Sequence, residues 1–151
     1  MSSFHQVLIL WALVFGACGF ALWKGGPPER LGAILFLAVA ILSAVVQATV
    51  PEPTRSMVVL LIDALLGVGF LLAAVRYASL WLGGVLVFHG VQFSLHAFYF
   101  VTKRPHDLLH AVVNNVDVFG ALVGLFSGTA ATLWRTNRAA RRAASVAPTS
   151  P

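Results

Sequence analysis

The chain has 151 residues, of which 59% are hydrophobic and only 10% charged, and its mean hydropathy is +0.88. A water-soluble domain has about 45–50% apolar and about 25% charged residues, so this composition excludes one and indicates an integral membrane protein. The net charge of +5 does not indicate nucleic-acid binding, because four of the ten lysines and arginines follow the last apolar run and are typical of a cytoplasmic flank: Arg135, Arg138, Arg141 and Arg142.

Five apolar runs follow one another along the chain, each bounded by charged residues, proline or glycine. At about 20 residues per crossing, the length allows four or five spans and no separate soluble domain. The apolar stretch 57–101 is too long for one crossing, and we divide it at Arg76, its only lysine or arginine. The predicted transmembrane helices are residues 4–23, 31–50, 57–75, 80–101 and 108–134.

The predicted fold is therefore an all-α bundle of five transmembrane helices in one domain, residues 1–142, followed by a disordered tail, residues 143–151. With the N-terminus outside, seven lysines and arginines of the loops and tail lie on the cytoplasmic side and three lie outside, which favours this orientation. Trp23, Trp81 and Trp134 then lie at cytoplasmic span ends as interface anchors. A four-span alternative, with the polar fifth segment in the membrane interface, reverses this charge advantage.

The first run lacks a basic segment before it and is followed at once by Lys24, so it fits a retained span better than a cleaved signal peptide. The single cysteine, Cys18, excludes an internal disulfide, a CxxC redox pair and a thiolate zinc site.

Several loop and helix segments carry a resemblance to a known group. They are Leu22-Trp-Lys-Gly-Gly-Pro-Pro-Glu-Arg-Leu31, Leu61-Ile-Asp-Ala-Leu-Leu66, Arg76-Tyr-Ala-Ser-Leu-Trp-Leu-Gly-Gly84 and Phe88-His-Gly-Val-Gln-Phe-Ser-Leu-His96. Over about residues 20–100 the chain resembles small multi-helix membrane proteins of alphaproteobacteria to which no activity is assigned. The resemblance implies a multi-pass protein of the bacterial inner membrane.

Polar side chains inside the spans are the candidate functional residues, because a group such as Asp is costly in the membrane and normally faces other helices or water. On the fourth helix, His89, Gln92 and His96 follow the spacing i, i+3, i+7 and share one stripe. On the fifth, Asn114 and Asp117 follow the spacing i, i+3. These residues predict two polar stripes, one on each helix.

The glycines Gly120, Gly124 and Gly128 continue the fifth helix as a small-residue ridge that permits close helix packing. Because a short connection joins the fourth and fifth helices, we expect an antiparallel hairpin. In that hairpin His96 meets Asn114 or Asn115, and Asp117 lies between the two histidines. The predicted intramembrane polar cluster is Asp63, His96, Asn114 and Asp117.

The first functional hypothesis is a small non-enzymatic inner-membrane protein, an accessory or packing subunit of a homo-oligomer or of a larger membrane complex. The chain has no GxSxG, HExxH or P-loop motif, and its glycine ridge suits helix packing. The partners expected are the lipid bilayer and other membrane subunits or a second copy, without nucleic acid.

The alternative is a ligand-binding protein, or a proton or solute transporter, that uses the polar cluster. No cofactor is predicted outright, and a quinone or haem at His89, Gln92 and His96 is the option left open. Two histidines seven residues apart lie about 10 Å apart along the axis, too far to ligate one haem iron together. A quinone needs only one or two hydrogen-bond donors against an apolar wall.

Overall fold

The computed structural model describes residues 3–104 and 107–146. This part of the chain is all-α, with no strand, as the sequence predicts. The helices are α1 (Ser3–Lys24), α2 (Pro27–Thr49), α3 (Thr54–Tyr77), α4 (Leu80–Thr102) and α5 (Leu108–Val146).

Helices α2 to α5 are each long and apolar enough to cross a membrane, whereas the apolar stretch of α1, Leu8–Lys24, is shorter. The prediction of an all-α bundle with helices able to cross a membrane is therefore confirmed, and a fifth span in α1 stays a prediction.

Local chemistry accounts for the helix ends. Helix α2 begins at Pro27, because proline suits the first helical position, where the missing N–H would have no partner in any case. Helices α3 and α4 end at Ala78 and Lys103, whose φ angles of 47° and 52° place them in the left-handed region that stops a helix. At the start of α5, the Asp107 carboxylate accepts the backbone N–H of His110 at 3.1 Å.

The five helices form a closed ring, in which each packs against its neighbours in sequence and α1 also packs against α5. One buried apolar cluster joins α1, α2 and α5: Val14, Cys18, Ala21, Ala33, Leu122 and Leu125. A second joins α3, α4 and α5, and we call it the apolar layer: Leu66, Phe70, Ala73, Leu82, Val85 and Ala121.

The glycine ridge of α5 faces α4. A Cβ atom at Gly120 would lie 2.9 Å from Phe88 Cδ2, and one at Gly124 would lie 2.7 Å from Val85 Cγ2. At Gly128 it would lie 2.6 Å from Trp81 Cδ1. The ridge therefore sets the close approach of α4 and α5 within one molecule.

Helix α5 does not end near Trp134, the last residue of the predicted span, but continues through the arginines to Val146. At about 1.5 Å per residue it is about 58 Å long, well beyond the roughly 30 Å of a bilayer core. Residues 143–146, predicted as the start of a disordered tail, are helical, because they continue the run of alanines and arginines at 139–142 and begin with two more alanines, and both residue types favour a helix. Residues 147–151 lie outside the described part of the chain.

Candidate functional site

A cavity of about 1330 Å³ lies between α2, α3, α4 and α5. Its mouth is at the α2–α3 and α4–α5 connections, where Glu52, Arg55 and Lys103 line it. Its deep end is lined by His89 and Asp117, beside the apolar layer. We call this cavity the cleft.

The carboxylate of Asp63 on α3 holds His96 on α4, with Oδ2 lying 2.6 Å from Nδ1. A carboxylate only accepts hydrogen bonds, so Nδ1 carries the hydrogen and donates it. The Nε2 atom of a neutral His96 is then a free acceptor. This is the arrangement by which a carboxylate orients a histidine to receive a proton or a hydrogen bond.

His89, two turns deeper on α4, is held at both ring nitrogens. Its Nε2 lies 2.8 Å from the backbone carbonyl oxygen of Asp63 and donates to it. Its Nδ1 lies 3.6 Å from Oδ2 of Asp117 on α5. Both side chains are buried, with 3% and 9% of their surface exposed. Asp63 thus contacts both histidines, one through its side chain and the other through its main chain.

The partners differ from those expected from the sequence. Asn114 pairs with Gln92, whose Nε2 donates to its Oδ1 at 3.0 Å, rather than with His96. Asp117 lies against His89 and not between the two histidines. The cause is that α4 packs between α3 and α5, so one polar stripe serves two neighbours. His96 faces α3 and also stacks on His110 of α5, with the ring centroids 4.7 Å apart.

Two enclosed polar atoms have no hydrogen-bond partner within residues 3–104 and 107–146, namely His96 Nε2 and Asp117 Oδ1. Both side chains belong to the wall of the cleft. Leaving such a group without a partner costs about 1–3 kcal/mol, so a ligand that met these enclosed atoms after a turn of their side chains would gain that free energy.

Ion pairs and hydrogen bonds order the mouth of the cleft. Arg55 donates to Glu52 at 2.9 Å, and with Ser56 it lowers the pKa of this carboxyl. Tyr99 donates to the Asp107 carboxylate, which lowers the pKa of Asp107, and the backbone N–H of His110 adds to that effect. The charges at the mouth are therefore fixed on short connections.

A third buried carboxylate, Glu29, lies at the opposite end of the bundle and is only 2% exposed. Its Oε1 accepts the indole N–H of Trp81 at 3.1 Å, and its Oε2 accepts the backbone N–H of Gly26 at 2.8 Å. The sequence analysis missed this pair, since Glu29 falls in the charged segment before the predicted span of residues 31–50. A glutamate at the third helical position after Pro27-Pro28 was the signal for the Gly26 contact.

The histidines of the cleft offer few atoms to a haem iron or a metal ion. Nε2 of His89 is bonded to a backbone carbonyl oxygen and its Nδ1 is covered by Asp117. Nδ1 of His96 is held by Asp63, so of these ring nitrogens only Nε2 of His96 has no polar group of the described residues against it. Within the described ranges, no group of three or more His, Cys, Asp or Glu is placed to hold a metal ion. His89 and His96 therefore do not fit a bis-histidine haem.

Comparison with protein-family models, curated proteins and solved structures gives no match to this chain.

Proposed function

We propose that this protein binds a small ligand, taken up from one side of the membrane, in the cleft between α2, α3, α4 and α5. The supporting observation is that the cleft extends from the connections to two His–Asp pairs within the helices. These side chains are themselves largely buried, but packing between helices alone does not call for a cavity of this size beside them.

The wall of the cleft has an apolar part and a polar part. Apolar side chains such as Phe36 and Val118 form part of the wall, while polar side chains of α3, α4 and α5 form another part. The apolar layer closes the deep end. This arrangement is that of a binding protein, or of a transporter in the state open to one side.

We further propose that all five helices span the bacterial inner membrane, with the N-terminus and the mouth of the cleft outside. The supporting observation is the charge distribution. The helix ends next to the α1–α2 and α3–α4 turns, together with the C-terminal part of α5, carry seven lysines and arginines, against three at the mouth. A reporter fused after Arg142 that is active only outside would contradict this orientation.

Cysteine accessibility tests the cleft. In a Cys18→Ala background, Ser43→Cys places a thiol in the wall and Val85→Cys places one in the apolar layer. Val123→Cys, on the exposed face of α5, is the lipid-facing control. A water-soluble, membrane-impermeant methanethiosulfonate reagent is expected to modify only the Ser43→Cys variant rapidly. Equal rates at Ser43→Cys and Val85→Cys would overturn the proposal.

An accessory subunit is the second candidate function. The ridge at Gly120, Gly124 and Gly128 is covered by α4 and does not support it. A different observation does: Gly83 and Gly90 lie seven residues apart on α4, and nothing lies within 4 Å of the Cβ position at either. Open glycines on one stripe permit another helix to approach closely. Native mass measurement after gentle detergent extraction tests this role, and a lone monomer would count against it.

A further inference from the structure

We infer that the deep end of the cleft binds an organic ammonium ion in exchange for a proton, at the point where the His89–Asp117 pair and the Asp63–His96 pair meet its wall. This inference rests on the proposed ligand-binding function and names the chemical class of the ligand.

His89 has one ring nitrogen that a proton can occupy, and this nitrogen faces Asp117. Because its Nε2 donates to the Asp63 carbonyl oxygen, a neutral His89 has a bare lone pair at Nδ1. That lone pair faces an oxygen of Asp117 at 3.6 Å, and two lone pairs repel. One proton on either atom turns the repulsion into attraction. The pair therefore holds one proton when no ligand is present.

Two atoms of the wall then remain for a ligand. With that proton between His89 and Asp117, the unpartnered Asp117 Oδ1 is an acceptor, and so is Nε2 of His96 when Nδ1 alone carries a hydrogen; both atoms lie enclosed in the wall of the cleft. The carboxyl torsion is soft, so a small turn presents either Asp117 oxygen to the cleft. Two acceptors beside two carboxylates favour a ligand that carries N–H donors and positive charge. A quinone or an anion brings only acceptors.

Other titratable side chains of the wall could compete with a cationic ligand for the carboxylates. Asp63 from α3, His96 from α4 and His110 from α5 face the same space, and α2 contributes no titratable side chain to the described wall. The other titratable groups of the wall lie near the mouth: Glu52, Arg55, Tyr99, Lys103 and Arg104. No lysine or arginine among the described residues of the wall reaches the deep end, so the ligand supplies the compensating cation.

The exchange balances in charge. The protonated His89–Asp117 pair takes up one ammonium ion and releases one proton, which leaves a neutral imidazole and a carboxylate beside the cation. Binding should therefore tighten by about tenfold for each unit of pH while the empty pair remains protonated. The cleft is large enough for an organic cation, and Phe36 and Phe100 in its wall suit an aromatic body.

Calorimetric titration of the full chain in detergent with benzylammonium tests the inference. The titration is repeated in phosphate and in Tris, whose different ionisation enthalpies report the protons released. We expect about one proton per bound cation, and at least tenfold weaker binding of benzyltrimethylammonium, which has the charge but no N–H. Asp117→Asn should weaken binding at least tenfold and abolish proton release. Glu29→Gln, which removes a buried carboxylate away from the cleft, should behave as wild type.

The wild-type measurement decides the outcome even where a variant does not fold. Benzylammonium binding without proton release overturns the inference, as does binding of benzyl alcohol or decylubiquinone in its place. Both of these results leave a ligand-binding cleft intact. Failure of all four probes, together with an unreactive Ser43→Cys variant, would overturn the proposed function as well.

Discussion

The carboxylate of Asp63 on α3 lies 2.6 Å from Nδ1 of His96 on α4, within the span predicted for each helix. This contact couples two helices that the sequence joins only by the turn at Ala78 and Ser79. Both helices line the cleft, so the contact joins two of its walls, and its free energy can be measured.

A double-mutant cycle of Asp63→Asn and His96→Gln should show a coupling free energy of about 0.6–1.7 kcal/mol, the range for hydrogen bonds between membrane helices. The measurement is chemical or thermal unfolding in detergent of the wild type, both single variants and the double variant. The control cycle pairs Asp63→Asn with Glu29→Gln, at opposite ends of the bundle, and should be additive within about 0.5 kcal/mol. Equal coupling in both cycles would contradict a direct Asp63–His96 contact.

The Asp107 contact predicts a dependence of stability on pH. The Tyr99 hydroxyl and the backbone N–H of His110 lower the pKa of Asp107 below its ordinary value of 3.8. A carboxyl whose pKa is lower in the folded than in the unfolded chain stabilises the fold when the pH is above the unfolded-state pKa. This contribution is lost as the pH falls through the folded-state pKa. Asp107→Asn should therefore lower the melting temperature by a few degrees at pH 7, and the difference from wild type should shrink below pH 4.

The Tyr99→Phe variant is the matched partner for that measurement, because it removes the largest cause of the shift. Its melting temperature should approach that of the wild type in the same acidic range. A difference between wild type and Asp107→Asn that stays constant down to pH 3 would argue against an ionised Asp107 as the stabilising species.

The buried Glu29 gives a prediction at the opposite end of the bundle. Glu29→Ala removes the acceptor of the Trp81 indole N–H and of the Gly26 N–H, and should destabilise the fold by about 1–3 kcal/mol. Glu29→Gln keeps the size and one acceptor and should cost less. Trp81→Phe tests the same bond from the donor side. If Glu29→Ala unfolds at the wild-type denaturant concentration, the pair has no structural role.

Two glycine substitutions on facing helices should have opposite effects. Gly124→Ala places a Cβ atom 2.7 Å from Val85 Cγ2, so α4 and α5 must shift, at a cost of about 1–3 kcal/mol. Gly90→Ala meets nothing within 4 Å and should be neutral, or stabilising by up to about 1 kcal/mol, since alanine favours a helix over glycine. Unfolding in detergent distinguishes them, and equal effects would contradict the packing of α5 against α4.

The helices and the polar stripe of α4 are predictable from the sequence because hydropathy and helical spacing are local properties. The partner of each polar group is not, because the stripe fixes a face of α4 but not which neighbour that face meets. His96 therefore meets Asp63 and not Asn114. Likewise Trp81, predicted as an interface anchor from its position at the end of a span, is half-buried and hydrogen-bonded to Glu29. Trp23, predicted in the same way, is 72% exposed.

The apolar layer below the cleft has an electrical consequence. If water fills the cleft, the interior of the cleft is close to the potential of the solution at its mouth, and the membrane voltage falls mainly across Phe70, Leu82 and Val85. A cation resting against Asp117 then feels little of that voltage. Passing the layer would carry it through most of the field, worth about 2.3 kcal/mol per charge for each 100 mV. These few side chains, and not the full thickness of the bundle, would then act as the insulator of the protein.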